Sequence, residues 1–353
     1  MGVKINMTKW IAEIIARKEV TAIPIMTHPG IEMNGHTVKE AVSSGQVHYE
    51  AVMTLAKRYP LSVAAAMIMD LTTEAEAFGS EIVFEDDAVP AVSNRLLTCA
   101  EDIEKLKVPS LNTGRIPEYI KASLLAARSL NQERENGGKE HPLLSGCIGP
   151  FSLAGRLYDM SEIMVLIYEN PAAAHTLLRK CNDFILKYCM ALKEAGANGV
   201  VMAEPAAGLM SNDDCIEFSS KYVKEIVDRV QDDYFTVVLH NCGNTGHCTQ
   251  AMVMTGAAAY HFGNKCKMAE VIKDVPPTAL AMGNIDPVSV FKEGTPEQMR
   301  AAVRQLLDEM KDYPNFVLSS GCDTPPHTPE ANIEAFFEET LPPCPLPVME
   351  GSK

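Results

Sequence analysis

The stretch VVLHNCGNTGHC, residues 237–248, decides the fold because a short apolar run leads directly into residues that can carry chemistry. Val237–Leu239 is continuously apolar, which is typical of a parallel strand buried on both faces. His240 and Cys242 follow it, and residues two apart on an extended chain project to the same side. An imidazole and a thiolate at the end of a buried strand indicate a site at the edge of an α/β sheet.

The same pattern, an apolar run followed by a turn and a helix-length segment, recurs along the chain. Eight such runs predict a (β/α)8 TIM barrel, an α/β fold with parallel strands, and 353 residues suit that fold with insertions. The predicted strands are Thr21–Met26, Ser62–Met69, Pro142–Ile148, Gly199–Ala203, Thr236–Leu239, Ala257–Phe262, Thr278–Met282 and Asn315–Leu318.

The interval from Asp70 to about His141 is too long for one crossover between the second and third strands. It contains the extended stretch EIVFEDDAVPAVSN and a predicted helix over 117–130. We interpret about 70–141 as an insertion and crossover after strand 2, and 1–353 as a single barrel domain. A helix is expected before the first strand, and residues 341–353, LPPCPLPVMEGSK, predict an irregular tail.

The charge balance argues against two classes of partner. Lys and Arg number 31 against 46 Asp and Glu, a formal net charge of −15. Such a surface repels phosphate backbones and anionic lipids, so neither nucleic acid nor a membrane is expected as a partner. The best apolar run, Leu61–Met69, is about half of the roughly 20 residues that a spanning helix needs. The amino terminus also lacks the apolar core of a signal peptide, so we expect a cytoplasmic protein.

A second chemical feature lies in FVLSSGCDTPPHTPE, residues 316–330, where Cys322 follows the last predicted strand. The strands of a barrel all end on the face that holds the active site, so Cys322 can meet His240 and Cys242 there. One imidazole and two thiolates suit Zn²⁺, and three protein ligands leave a fourth position open for catalysis. On these residues alone, packing is the alternative, since buried cysteines often pack as small hydrophobes, and His247 with Cys248 could replace His240.

Five motifs together resemble the uroporphyrinogen decarboxylase superfamily, and within it the methylcobamide:coenzyme M methyltransferase branch. The resemblance covers about Thr21 to Glu339 and implies a TIM barrel with a His-x-Cys…Cys zinc site, whose ligands fall on His240, Cys242 and Cys322. The motifs are HNCGN at 240–244, SSGCD at 319–323, GNIDP at 283–287, DLTTEAEAFG at 70–79 and GPFSLAG at 149–155.

A uroporphyrinogen decarboxylase activity is the nearest alternative. Members with that activity bind a carboxylated tetrapyrrole through arginines in an amino-terminal motif similar to RQAGRY. The corresponding stretch here, TAIPIMTHPGIEMNG at 21–35, has no arginine, and decarboxylation does not need a thiolate zinc site. A non-catalytic protein that only binds a corrinoid partner or a metal is the third alternative.

The resemblance implies methyl transfer from methylcob(III)amide to a small acceptor such as coenzyme M or tetrahydrofolate, with zinc activating the acceptor. No cobalamin-binding Asp-x-His-x-x-Gly motif is present, so the methylcobamide is expected on a separate corrinoid protein that docks at the barrel. A sulfonate on the acceptor would need a basic residue, and Lys265 and Lys267 are nearest to the predicted strand ends.

Further polar residues follow the predicted strands. Glu204 is predicted to be catalytic, as a displaceable fourth zinc ligand or a base, with capping of a helix amino terminus as the alternative. Asp286 is predicted to orient His240 or line the pocket, with a turn role as the alternative. Single histidines at strand ends, here His28 and His261, are more often structural. Candidates for binding the cofactor or polar substrate groups are Asp70, Asn241 and Asn284, whose alternative roles are capping and turn formation.

Overall fold

A computed structural model describes residues 4–341, so the predicted tail from residue 342 onward lies outside the described residues. The strands are β1 Ala65–Ala66, β2 Ile82–Val83, β3 Ala91–Val92, β4 Leu143–Ile148, β5 Gly199–Ala203, β6 Thr236–Asn241, β7 Ala259–Phe262, β8 Leu280–Ile285 and β9 Phe316–Ser320.

The helices lie between and around these strands. They are α1 Met7–Ala16, α2 His28–Met33, α3 Val38–Ser43, α4 Gly45–Arg58, α5 Thr73–Phe78, α6 Ala100–Lys105, α7 Ile116–Glu135, α8 Pro150–Tyr158, α9 Met160–Glu169, α10 Pro171–Glu194, α11 Asn212–Cys215, α12 Lys221–Val230, α13 Thr249–Val253, α14 Met268–Val271, α15 Pro296–Met310 and α16 Glu330–Glu338. Short 3₁₀ turns span Pro205–Leu209 and Ile272–Asp274, and π-helical turns span Ile216–Ser220 and Pro287–Lys292. No helix among residues 4–341 is long and apolar enough to cross a bilayer.

Seven parallel strands form one sheet in the order β1-β4-β5-β6-β7-β8-β9. Ala22 bridges in parallel to both Ser62 and Leu318, which brings the first predicted strand between the two edges of that sheet. This confirms the (β/α)8 barrel. The prediction of a regular strand over Thr21–Met26 is wrong in detail, because Pro24 has no N–H for the ladder and only the single bridging residue pairs on both sides.

The predicted insertion after strand 2 is present. It contains the antiparallel pair β2–β3, in which Ile82 pairs with Val92, and then α6 and α7. Helix α7 extends to Glu135 and is longer than the predicted 117–130, since the residues NQERE after Leu130 are mostly good helix formers.

Capping residues define the amino-terminal ends of two long helices. Thr295 and Gln298 form a reciprocal capping box at α15, and Pro296 takes the first helical position. Asn170 caps α10 by accepting a hydrogen bond from the Ala173 N–H, immediately before Pro171.

The barrel interior is layered. Its apolar layer belongs to a buried cluster that also includes Trp10, Ile11 and Ile14, so α1 closes the amino-terminal end of the barrel. Nearer the carboxyl-terminal end, which we call the mouth, the interior becomes polar. Side chains two positions apart on a strand face the same side, so the residue two positions beyond an apolar interior residue also faces the interior. Three polar residues each lie two positions beyond an apolar one, namely His240 after Val238, His261 after Ala259 and Ser319 after Val317.

Candidate metal centre

His240, Cys242 and Cys322 converge at the mouth. One ligand atom from each lies within 4.8 Å of the others, and the Cys322 Sγ is 3.7 Å from the His240 Nε2. His240 lies on β6, Cys242 just after it, and Cys322 just after β9, so the meeting of distant residues follows from barrel closure. The His240 side chain is buried and the two cysteines are partly exposed, which leaves one side of the cluster open to a ligand.

Two glycines allow the strand-end loops to approach one another closely. A Cβ at Gly263 would lie 2.7 Å from the Cys242 Cα, and a Cβ at Gly321 would lie 2.6 Å from the Asn264 backbone nitrogen. Real Cβ contacts essentially never come below 3.0 Å. The loop after β7 can therefore pack between the two cysteine-bearing loops only because both positions lack a side chain.

A chain of hydrogen bonds behind the cluster fixes which nitrogen of each imidazole carries a proton. The Ser319 hydroxyl donates to the Ile23 carbonyl at 2.7 Å, and a hydroxyl has one proton to give. The 2.9 Å contact between Ser319 Oγ and His261 Nε2 must then have the histidine as donor. Burial keeps the pKa of His261 well below its ordinary value, with the proximity of His240 lowering it further, so the His261 Nδ1 is an unprotonated acceptor.

The His261 Nδ1 lies 2.6 Å from the His240 Nδ1, which must therefore donate. The His261 carbonyl lies 3.3 Å from the same His240 nitrogen, and a carbonyl can only accept, so both contacts require the same proton. His240 therefore carries its hydrogen on Nδ1. Its Nε2 faces Cys322 and is the nitrogen left available to a metal ion.

The two cysteines share a proton. The hydrogen bond with Cys322 lowers the pKa of Cys242, and contact with His240 lowers it further. The same hydrogen bond, with burial, raises the pKa of Cys322. Cys242 is thus the more acidic thiol of the pair, and a bound divalent ion would favour the thiolate form of both cysteines.

The donor set fits zinc. A neutral imidazole nitrogen and two sulfurs are borderline-to-soft ligands, and three of them leave a tetrahedral ion one open position. No other group of three His, Cys, Asp or Glu ligand atoms that could hold a metal occurs among residues 4–341. The alternative pair is engaged elsewhere, because the His247 Nε2 donates to the Met210 carbonyl at 2.9 Å and the Cys248 thiol donates to it at 3.3 Å.

Glu204 lies outside the cluster. Its carboxylate accepts from the Phe151 and Ser152 backbone N–H groups at 2.7 and 2.8 Å, and from the Ser219 hydroxyl at 2.9 Å. It thus caps the amino terminus of α8, which is the alternative role that the sequence left open. Burial raises the pKa of Glu204 against the opposing effect of these donors, beginning with Ser152.

Asp286 also lies outside the cluster. Its carboxylate accepts from the Val288 and Ser289 N–H groups at 2.8 and 3.0 Å and from the Asn264 amide at 2.8 Å. Although burial opposes it, these bonds, led by that from Ser289, hold the pKa of Asp286 below its ordinary value. His240 is oriented by His261 and not by Asp286.

The three predicted cofactor-binding residues all bond to the protein itself. The Asn241 side-chain oxygen, Oδ1, accepts hydrogen bonds from the Gly243 and Asn244 backbone N–H groups and shapes the loop that carries Cys242. Asn284 donates to the Gly263 and Cys266 carbonyls. Asp70 accepts from Thr72, Tyr119 and Arg115 at the base of the insertion.

The sequence did not single out the partners of His240. The sequence predicts a structural role for His261 and assigns no role to Ser319. A signal was nevertheless present, because each lies two residues beyond an apolar interior position, as His240 does. His28 donates through Nδ1 to the Thr324 carbonyl at 2.8 Å, in the loop that follows Cys322.

Comparisons with known proteins give matches over nearly the whole chain. The family model described as uroporphyrinogen decarboxylase (URO-D) matches residues 8–340. The methylcobamide:CoM methyltransferase MtbA of Methanosarcina mazei is 32% identical over 86% of this chain and 89% of its own length. A uroporphyrinogen decarboxylase of Photobacterium profundum is 27% identical over 83% of each chain. A solved methyltransferase from Methanosarcina mazei shares the fold with a TM-score of 0.82 at 22% identity, covering 96% of this chain and 98% of that one.

Proposed function

Because this chain belongs to the uroporphyrinogen decarboxylase family and is a methyltransferase within it, we propose that it moves a methyl group from a methylcobamide to a small thiol. The methylcobamide is carried by a separate corrinoid protein, and the acceptor is coenzyme M. The observation that carries the proposal is the convergence of His240, Cys242 and Cys322 within 4.8 Å at the mouth. Tetrahydrofolate, also considered from the sequence, is the second acceptor to test.

Zinc is the ion that we assign to this cluster, and when bound it supplies a positive charge that makes a thiol acidic at neutral pH. The residues of the chain hold and orient that ion. His240 offers its Nε2 lone pair because His261 and Ser319 hold the proton on Nδ1, and Cys242 is already the more acidic thiol of its pair.

The transfer itself is a displacement at carbon. A lone pair of the acceptor sulfur forms the new S–CH₃ bond, and both electrons of the cobalt–carbon bond stay on cobalt, which passes from Co(III) to Co(I). The thiol proton leaves to solvent. The open side of the cluster, where the two cysteines are partly exposed, allows the methyl donor to approach from outside the barrel.

The other predicted roles remain proposals. Glu204 and Asp286 are assigned to catalysis through the loops that they hold at the ends of β5 and β8. Asn241, Asn284 and Asp70 are assigned to the cofactor-binding face in the same indirect way, since their polar atoms already have protein partners.

The decarboxylase alternative is weaker on chemical grounds. Residues 21–35 contain no arginine that could bind the carboxylates of a tetrapyrrole. A buried imidazole and two thiols at the mouth would have no task in a reaction that needs no metal.

The proposal is tested by measuring the zinc content of the purified protein and its demethylation of methylcobalamin. Purified protein should hold about one zinc per chain and demethylate free methylcobalamin with coenzyme M, and less or not at all with homocysteine or tetrahydrofolate. Cys322→Ser should lose both zinc and activity. Cys99→Ser, a cysteine at the start of α6 in the insertion, is the matched control and should keep both.

Metal-free protein that decarboxylates uroporphyrinogen would overturn the proposal in favour of the decarboxylase. Zinc-loaded protein that fails to demethylate methylcobalamin with any of these acceptors would favour a non-catalytic binding role.

A further inference from the structure

Arg156, near the end of α8, is a partly buried arginine without a protein partner. It makes no ion pair and no hydrogen bond with any residue of the described range 4–341. The other buried or partly buried arginines, Arg115, Arg134 and Arg300, all interact with a neighbour. A guanidinium has five N–H donors, and taking them out of water is costly unless another group accepts their hydrogen bonds.

The topology places Arg156 at the mouth. Helix α10 has 24 residues, so at 1.5 Å per residue it spans about 36 Å, enough to return the chain along the whole barrel. It ends just before β5 begins, at the amino-terminal end of the sheet. Helices α8 and α9 come between the end of β4 and the start of α10, and they therefore stay at the mouth.

Contacts link this helix to the metal centre. Ser152 lies one turn before Arg156 and projects from the same side of α8. Its hydroxyl accepts from the Ala206 N–H at 3.1 Å, in the 3₁₀ turn after β5. That turn packs closely on the loop that carries Cys242, since a Cβ at Gly243 would lie 2.2 Å from the Pro205 carbonyl oxygen.

Among the described residues, Asp70 is the acid whose charge acts on Arg156. Burial lowers the pKa of the Arg156 guanidinium, and the charge of Asp70 acts in the opposite direction. The Asp70 carboxylate is already engaged by Arg115 and Thr72. Arginine stays charged at neutral pH under such conditions, so its charge remains available to an external anion.

We propose that Arg156 binds the anionic end of the methyl acceptor, and that this end is a sulfonate. The inference rests on the proposed function and names the part of the acceptor that the metal centre does not hold. A planar guanidinium matches two oxygens of such an anion at once. The lysines nearest to the strand ends are less suited, because Lys265 is exposed and Lys267 pairs with Glu270 in solvent.

The experiment compares two thiols that differ only at the far end. Zinc-loaded protein is assayed for methylcobalamin demethylation with coenzyme M and with 2-mercaptoethanol, which has a hydroxyl in place of the sulfonate. Wild-type protein should prefer coenzyme M in kcat/KM. Arg156→Gln should reduce that preference about 10- to 100-fold, chiefly through the KM for coenzyme M, and Arg156→Lys should recover part of it.

Arg229→Gln is the matched control, since it removes an exposed arginine from the last turn of α12, just before β6 begins, and its preference should equal that of the wild type. An Arg156→Gln protein with unchanged preference, or with equal loss for both thiols at normal zinc content, would overturn the proposal. If Arg156→Gln does not fold, the wild-type protein is assayed with coenzyme M in the presence of ethanesulfonate, which has the sulfonate but no thiol. Failure of ethanesulfonate to compete with coenzyme M would also overturn the proposal. Absence of wild-type activity with both thiols would instead refute the proposed function.

Discussion

His240 and His261 lie on neighbouring strands with their Nδ1 atoms 2.6 Å apart. The contact makes His261 the acceptor for the Nδ1 proton of His240, and the Ser319 hydroxyl fixes His261 in that state from the other side. Ligand histidines commonly donate their second nitrogen to a carbonyl or carboxylate. Here a second imidazole takes that place.

The first prediction concerns this pair. His261→Phe should weaken zinc binding by about 10- to 100-fold, because the His240 Nδ1–H loses its main acceptor. His261→Asn is the matched variant, since its amide oxygen can replace Nδ1, and it should bind zinc nearly as tightly as the wild type. Competition with a chelator measures both affinities.

Nitrogen-15 NMR of the metal-free protein gives an independent reading. The His240 ring should show a protonated Nδ1 in the wild type and a mixture of tautomers in His261→Phe. Equal zinc affinity in the Phe and Asn variants would show that the imidazole contact does not prepare the ligand.

The convergence of His240, Cys242 and Cys322 could be predicted from the sequence because two simple rules suffice. Residues two apart on a strand share a side, and the strands of a barrel all end at one mouth, so His240, Cys242 and Cys322 can be brought together without knowing any distance. The His240–His261 contact needs the register of β6 against β7, and the His261–Ser319 contact needs the curvature that brings β7 and β9 together inside the barrel. Neither is encoded in local patterns.

Two further features show where local patterns fail. Thr21–Met26 has the apolar character of a strand, but Pro24 removes a donor, and tertiary closure through Ala22 holds the segment in place. Arg156 looks like an ordinary helix residue in the sequence. Only the full set of partners shows that it has none among the described residues.

The second prediction is a pH dependence of stability. Burial raises the pKa of Glu74 from 4.5 to about 7, and one of its carboxylate oxygens is buried without a partner. The folded protein therefore binds this proton more tightly than the unfolded chain, so the resulting stability is present at acid pH and is lost as the pH rises toward 7 and beyond.

Glu74→Gln removes the titration while keeping an oxygen for the Ile148 N–H. Between pH 5 and 8, its free energy of unfolding should rise relative to the wild type by roughly 2 to 3 kcal/mol. Urea unfolding at both pH values measures the difference, with Glu104→Gln on the exposed face of α6 as control. A parallel pH response in Glu74→Gln and wild type would contradict the assignment.

The third prediction concerns the insertion. Arg115 and Asp70 form a buried ion pair, and Arg115 also binds Glu76 at 2.7 Å. Arg115→Gln should cost about 3 to 5 kcal/mol of stability, because the Asp70 charge stays buried without its partner.

Arg58→Gln removes an exposed arginine that pairs with Glu330 and Glu334, and it should destabilise the protein far less than Arg115→Gln, because solvent screens these pairs. Denaturant unfolding compares the two variants. Similar losses would mean that the Asp70–Arg115 pair is hydrated like a surface pair and does not anchor the insertion.

The last prediction separates two reasons for having glycine. Gly263→Ala places a methyl group 2.7 Å from the Cys242 Cα, so the loop after β7 or the cysteine must move, and zinc affinity should fall at least about 10-fold. Gly137→Ala meets nothing within 4 Å but has a φ of +89°, so it should cost about 1 kcal/mol of stability and leave zinc binding unchanged. Chelator competition and thermal unfolding on both variants give the comparison. Loss of zinc affinity in Gly137→Ala, or its retention in Gly263→Ala, would mean that the packing of the β7 loop on Cys242 does not set the position of the ligand.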